Sequence, residues 1–587
     1  VRDNFHKEEG EEMLKMKKSL MILLAAALVI VSACSNTNNT GGSKDSSKQS
    51  TNQVSSSNQT DSSTLADPFG KYEEPITISI GIEVDPTDTS LPSGDSPTNN
   101  QYTRNIKENL NIDVEHAFTA SPANYKQKVS LSIASNDLPD AMIVGPVELR
   151  QLYEAGQLED LTDVYNNYAS PTIKRIIEST GGLALEAVTF DGKIMAIPGV
   201  QLQADGVHTL WLRKDWLDKL NLDPPQTVED LVKVARAFVE QDPDGNNKKD
   251  TIGLAGPDSS GKLYANFLES SNNVYGFDGI FAAFNSYPGY WLEEDGKAVY
   301  GSLQPETKEA LAQLRSMYAD GLIDQEMGVR EESSESIISG NTGMFFAPWW
   351  MGYGPLGEAI TVNPEANWQA YALPLDGSGK YSPHMSTPSS SFVVVRKGYE
   401  HPEAVMKMQN NLLAQEGAAT FDPSKGGPAF YPLRLVFAPA DETEYEVKAL
   451  REVMAGTKTA EDFKDKPEYK LLYSDAQVIK NVKLEPYDNL DIQHWNTSDL
   501  GVWKRAYSLL VGGTPLVDND INGVYSVAYA QTKTMESRWV NLKKLEDETF
   551  LKIVMGVAPL DTFDQFVKDW KNQGGDQITS EVSELVK

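Results

Sequence analysis

Cysteine is almost absent from this chain: Cys34 is the only one among 587 residues. No disulfide can form within the chain, so whatever folds must be held by its cores. Histidine is scarce too, and the six present (His6, His116, His208, His384, His401, His494) are too scattered for a zinc spacing such as HExxH. Neither a GxSxG nucleophile elbow nor a phosphate-cradling GxxxxGK[ST] loop occurs. Positive charge is short: 52 Lys and Arg against 84 Asp and Glu leave a net charge of −32. That balance repels nucleic acid and anionic lipid alike. Beyond the first few dozen residues no apolar run is long enough to cross a bilayer. Hydrolysis by paired carboxylates stays open, since such a pair leaves no local signature.

What is present is ordinary for a globular body, with 40% hydrophobic and 23% charged residues. Residues 16–33 differ from that body. Lys17 and Lys18 precede an uncharged apolar run over 20–31, which ends in Val31-Ser32-Ala33. A basic start, a short apolar run and small residues before a cut site read as a secretory signal. The lone cysteine follows immediately, and Ser-Ala-Cys resembles the lipobox of bacterial lipoproteins. That resemblance implies a diacylated Cys34 as the mature N-terminus. Residues 1–15, VRDNFHKEEGEEMLK, are polar and acidic where an export signal wants basic residues. The run Lys7-Glu8-Glu9-Gly10 back-translates to a purine-only stretch like a ribosome-binding site. Translation is therefore expected to start at Met13 or Met16. From 35 to 63 the chain is nearly all small or polar, with Val54 the only aliphatic residue. Such a segment cannot offset its ordering entropy, so 34–66 is expected to be a disordered tether. Roughly 520 residues remain, enough for two or more domains.

Within them, ITISIGIEV (76–84) alternates and is β-branched, predicting a strand that ends at Asp85-Pro86. A helix is expected over 102–110, a strand over 112–118, a helix over 125–134, and a buried strand over 139–144 that stops at Gly145-Pro146. The alternation predicts an α/β domain with a largely parallel sheet. Ligands then sit beyond the carboxyl ends of strands, making the loops at Asp85 and Gly145 candidate binding edges. Further on, a strand ends at 211–213, a helix covers 214–220, and Thr227 caps a helix with Asp230 at the capping-box distance. Val228, Leu231, Ala235 and Phe238 give that helix one apolar face. Asp295-Gly296 reads as a hairpin turn. Leu311, Leu314 and Tyr318 form the core stripe of a helix that stops at Gly321. Residues 372–374 and 392–395 read as strands.

ASNDLPDAMIV (134–144), YEAGQLEDLTD (153–163), FDGKIMAIPG (190–199), WLRKDWLDKLNLDPPQTVEDLVKVARAF (211–238) and SGNTGMFFAPWW (339–350) stand in this order. Together they resemble the bacterial extracellular solute-binding proteins of family 1, the sugar-binding type, over roughly 72–415. The resemblance implies an α/β, two-lobed, periplasmic-binding-protein-like (Venus flytrap) fold with hinge crossovers. Lobe 1 is then expected over 67–195 and 378–430, and lobe 2 over 196–377 and 431–587, with the Ser/Pro/Gly stretch before residue 392 as a crossing. It implies a monomeric receptor, not an enzyme, that captures a carbohydrate and hands it to an ABC permease from the outer face of the cell membrane. No nucleic acid is involved, and membrane contact runs only through the lipid on Cys34. A surface-attached polysaccharide-degrading enzyme and a ligand-sensing lipoprotein for a kinase are the alternatives.

Two sets of site residues follow. Asp242, Asp244, Asn246 and Asp250 place oxygens at alternating positions, with the Lys248 carbonyl between, and can wrap calcium in the manner of an EF-hand. The family often carries a structural calcium loop here; Thr251 departs from its pattern, and an acidic surface turn is the plainer reading. For the ligand, Trp349 and Trp350 are first choices as stacking platforms. Trp495 is a weaker choice, and Asp85 is a hydroxyl acceptor. The rival reading of each tryptophan is a place in the core, which is where Trp211 and Trp216 are assigned.

Overall fold

The first strand behaves as its alternation requires. In the computed structural model, which describes residues 66–84, 90–268, 273–418 and 420–586, Ile76–Glu83 forms β1 with Ile78, Ile80 and Ile82 buried. Helix α1 (Gln101–Leu110) starts at Asn100, whose side chain accepts from the backbone of Tyr102 and Thr103, and buries Tyr102, Ile106 and Leu110 at four-residue steps. Strand β2 (Ile112–Ala120), helix α2 (Pro122–Ser135), strand β3 (Ala141–Val144) and helix α3 (Pro146–Glu154) follow in the expected order. β1 lies between β2 and β3, parallel to both. The register shifts after Ile80, where Gly81 leaves room for the Phe118 ring; a Cβ there would come within 2.2 Å of it.

The sheet is not largely parallel, however. Strand β4 (Ile197–Pro198) and a strand from far along the chain, Phe392–Val395, complete the order β2-β1-β3-(392–395)-β4 with antiparallel pairing. A return from the second half of the chain brings that strand in against the direction of the βαβ units.

A second sheet forms independently. Its strands are β5 (Thr209–Arg213), β6 (Ile252–Leu254), β7 (Thr342–Ala347) and β8 (Trp368–Tyr371), in the order β8-β5-β7-β6. β5 leads into helix α4 (Lys214–Leu220), and then α5 (Val228–Gln241). The Thr227 side chain accepts from the Asp230 N–H, and the predicted face is buried. The Asp295-Gly296 hairpin is present, with φ of +51° and +74° at its two residues, as a primed turn requires. Leu311 and Leu314 are core residues, with Tyr318 packed partly buried beside them. The strand expected at 372–374 lies earlier, ending at Tyr371. Pro374 has no N–H for a ladder, and Leu375 donates instead to the Gln226 carbonyl.

Two lobes result, one around each sheet, joined by three crossovers at about 199–208, 386–391 and 438–441. The first runs between the other two. Gly199 and Gln201 donate to Ser391 and Pro388, Val200 and Gln203 donate to Val436 and Ala440, and Ala438 donates back to Val200, all at 2.8–3.1 Å. Tyr381 and Met385 pack in the second lobe, where the short strand β9 (His384–Met385) pairs with Val524–Tyr525. Tyr431, Leu433, Leu435 and Phe437 pack in the first. The C-terminal part ends in helices, of which α6 (Lys533–Val554) and α7 (Thr562–Trp570) close the second lobe's core. Among the described residues no helix is long and apolar enough to cross a membrane. The signal, Cys34, nearly all of the tether and Asp85 lie outside them.

Candidate functional site

β1 and β3 are parallel neighbours, so their carboxyl ends, Glu83 and Val144, open on the same side. A cavity of about 430 Å³ lies there, lined from the first lobe by Glu83, Tyr125, Lys126 and Gly145–Glu148. Ser390 and Ser391 line it from the second crossover, and Leu268, Tyr529 and Gln531 from the second lobe. It is an interlobe cleft. The Gly145 edge, a candidate binding edge, lines it. Asp85 cannot be placed, but Glu83, two residues before it, is at the cleft.

Each lining group is positioned by its element. Gly145 and Pro146 start α3, which puts Glu148 in the first turn, where the helix dipole favours a carboxylate. Glu148 is buried, and the Lys126 ammonium stands 3.5 Å from it. The Tyr125 hydroxyl donates to the Ile143 carbonyl at 3.2 Å, and burial raises its pKa, so it stays protonated. Across the cleft the Tyr529 hydroxyl donates to the Met385 carbonyl at 3.0 Å, beside Tyr290 at 2.8 Å. It also accepts from the Ser526 N–H at 2.9 Å. The pair of tyrosines fixes the start of the second crossover to the second lobe. A further cavity of about 470 Å³ adjoins the first, sharing Leu268 and Gln531 and adding Asn266, Trp539, Val540 and Lys543 along α6.

Of the expected stacking residues, none lines either cavity. Trp349 is buried; its indole N–H donates to Asp205 at 2.9 Å, and burial, opposed by that bond, raises the Asp205 pKa. Trp350 is partly buried against the same core. The chain turns after β7 instead of running on extended, so the pair folds back onto its own lobe. Trp495 is also in the core, with its N–H on the Leu490 carbonyl at 3.0 Å and its ring edge-on to Tyr507. Trp211 and Trp216 are buried as assigned. The sequence reading missed Tyr529, Gln531 and Trp539. A local cue was present: Tyr529 and Gln531 immediately precede Thr532, which caps α6.

The 242–250 loop does gather its oxygens. The Asn246 amide donates to Asp244 at 2.8 Å and to Asp250 at 3.0 Å, and its carbonyl accepts from the Lys248 N–H. The Asp242 and Asp244 carboxyls interact: burial, then Asp242, raises the Asp244 pKa, while Asp244 chiefly lowers that of Asp242. One Asp242 oxygen and the Thr251 hydroxyl are buried without a partner. Two carboxylates in contact beside an orphaned oxygen is the donor arrangement a hard cation would relieve. The Lys219 ammonium, on the Pro243 carbonyl at 2.7 Å, already supplies one positive charge nearby. Among the described residues no group of three or more His, Cys, Asp or Glu side chains has the geometry of a metal site.

Comparison with known proteins gives a consistent answer. The family model described as bacterial extracellular solute-binding protein matches residues 96–419, more than half of the chain. The polygalacturonan/rhamnogalacturonan-binding protein YtcQ of Bacillus subtilis is 21% identical over 506 residues, 84% of this chain and 89% of that protein. The fructooligosaccharide ABC transporter substrate-binding protein FusA of Streptococcus pneumoniae is 27% identical over 253 residues, 41% of this chain and 44% of that one, so the match spans under half its length. Among solved structures, an HMO-binding, ABC-transporter-associated solute-binding protein from Bifidobacterium longum infantis aligns with a TM-score of 0.54 and 14% identity. It covers 88% of this chain and 99% of that one, and speaks for the fold.

Proposed function

The chain belongs to the bacterial extracellular solute-binding proteins, and from that premise we propose that it captures a carbohydrate in the interlobe cleft and delivers it to an ABC permease. The observation that carries this reading is the cleft itself, walled by both lobes and floored by a crossover. A ligand touching both walls favours the closed state, because only there does it gain both sets of contacts. The named relatives are binding proteins for oligosaccharides or pectic polysaccharides, which supports a sugar as cargo. Glu83 and Glu148 both line the cleft, so the test must include turnover as well as binding.

In this reading Cys34 carries the lipid that holds a monomeric receptor at the outer face of the membrane. The tether keeps the local concentration of receptor near the permease high. Calcium in the 242–250 loop, held by Asp242, Asp244, Asn246, Asp250 and the Lys248 carbonyl, stabilises the turn after α5. A thermal-shift screen against carbohydrates, with product analysis of each mixture, tests the central claim. Stabilisation without hydrolysis is expected; hydrolysis of any sugar would make the protein an enzyme instead. Cys34→Ser should release the protein into the medium with binding intact. Calorimetric titration with calcium after chelator treatment should give heat and a higher melting temperature.

A further inference from the structure

The two cavities adjoin. They share Leu268 and Gln531, and the second runs along α6 past Trp539 and Val540. Each alone falls in the size range of roughly 300–1,000 Å³ that holds a small ligand. A single monosaccharide would leave the second empty.

The charges along the two cavities are equally informative. Three ammoniums line them, and each already faces a carboxylate: Lys126 faces Glu148 at 3.5 Å, Lys544 faces Glu548 at 3.9 Å, and Lys543 is bonded to Asp547. Among the described lining residues there is no arginine, while Glu83 adds a fourth carboxylate. Acidic sugars are ordinarily gripped by arginine forks or free lysines. Here a uronate would have to share an ammonium that a carboxylate already neutralises, or face Glu83. What the second cavity does offer suits a neutral sugar. The highly exposed Val540, beside the largely packed Trp539, gives an apolar ledge, and the Gln531 and Asn266 amides can both donate and accept.

We propose that the ligand is an uncharged oligosaccharide whose chain runs from the Gly145–Glu148 edge across Gln531 to the Trp539 ledge on α6. The inference rests on the reading of the cleft as a carbohydrate site. It sets this chain apart from the polygalacturonan/rhamnogalacturonan-binding protein YtcQ.

The test is calorimetry and thermal shift on the full chain, with neutral disaccharides, their longer oligomers, and oligogalacturonate and oligoalginate of matched length. Neutral oligomers should bind and raise the melting temperature, and the acidic ones should not. Trp539→Ala should weaken the longer neutral oligomers by about tenfold or more and leave the disaccharides within about twofold. Because Trp539 is largely packed in the core, Val540→Ser, at an exposed position that lines only the second cavity, provides a second variant with the same expected preference for long chains. Acidic oligomers binding more tightly than neutral ones would overturn the inference and leave the carbohydrate receptor standing. Equal loss for short and long chains in both variants would remove the ledge. If no sugar of either charge binds, the underlying reading falls with it.

Discussion

The two lobes are built from different materials. All ten tryptophans lie in the second lobe, at 211, 216, 291, 349, 350, 368, 495, 503, 539 and 570, and none in the first. The first lobe packs Ile, Val, Leu, Met and Tyr side chains around a five-stranded sheet, as Ile78, Ile106, Val393 and Met408 illustrate. The second has shorter strands and more loop and helix to fill. Its core is plated with rings: Trp291 against Tyr300 at 4.8 Å, and Tyr300 stacked on Trp570 at 5.1 Å. Regular layers interdigitate with β-branched residues, whereas irregular gaps need large flat ones. The abundance of tryptophan is therefore chiefly a packing signature of one lobe. Only Trp539 among them lines either cavity, so any indole stacking on a ligand must come from the second lobe.

The largest test of this contrast is stability. Trp570→Ala should cost about 3–5 kcal/mol, since it removes a fully buried indole from the ring stack. Ile106→Ala in the first lobe should cost about 2–5 kcal/mol. Denaturant unfolding followed by tryptophan fluorescence and by far-UV circular dichroism separates the two. Fluorescence sees only the second lobe. If the lobes unfold independently, Ile106→Ala moves the dichroism curve and leaves the fluorescence midpoint alone. Coincident shifts in both probes would make the lobes one cooperative unit despite their different cores.

The same contrast explains what was legible in the sequence. The Thr227 cap, the apolar face of α5 and the Asp295-Gly296 turn are local, and each is where periodicity and turn chemistry place it. The β1–β2–β3 run was readable for the same reason. Sheet direction was not, because the strand at 392–395 arrives antiparallel from far away in the chain. The cleft is the extreme case: Lys126, Glu148, Ser391 and Tyr529 meet across some four hundred residues and carry no shared spacing. Trp349 and Trp350 drew attention as a conspicuous pair at a strand end. Their fate was decided by a turn and by Asp205, which no local pattern announces.

A second test uses pH. In the second lobe His208 and His384, which flank two of the crossovers, share the buried Asp278, at 3.4 Å and 3.8 Å. Burial, opposed by the Asp278 charge, pushes His384 down to about 4. Burial alone would raise Asp278; the His208 bond and charge, then the His384 charge, hold it low instead. The unfolded His384 titrates near 6.5 and takes up its proton first as pH falls, so stability present above about 6.5 is lost progressively toward pH 4. That loss amounts to about 3 kcal/mol for this one group. Glu442 and Glu444, raised to about 7 chiefly by burial, work the other way, gaining stability as pH falls from about 7 toward 4.5. The difference between the wild-type protein and His384→Phe isolates the histidine. The variant's melting temperature should fall less steeply between pH 6.5 and 4, and an unchanged slope would show that the buried imidazole is not neutral in the fold.

The smallest expected effect lies at the first lobe's edge of the cleft. Lys126 is 72% exposed in its side chain while its partner Glu148 is 6% exposed. An ion pair with one arm in water is worth at most about 1 kcal/mol, and the start of α3 independently favours the Glu148 carboxylate. Lys126→Met should thus change stability by under about 1 kcal/mol. For an uncharged ligand, affinity should move by less than about fivefold, with little dependence on salt. If the charge balance of this edge selects the ligand, the variant should instead bind acidic oligomers even more poorly, and the deficit should shrink as salt is added. A large loss of neutral-sugar affinity, insensitive to salt, would mean that Lys126 contacts the ligand directly. The polar edge of the first lobe would then bind rather than screen, and the division between a charged wall and an aromatic one would have to be redrawn around that lysine.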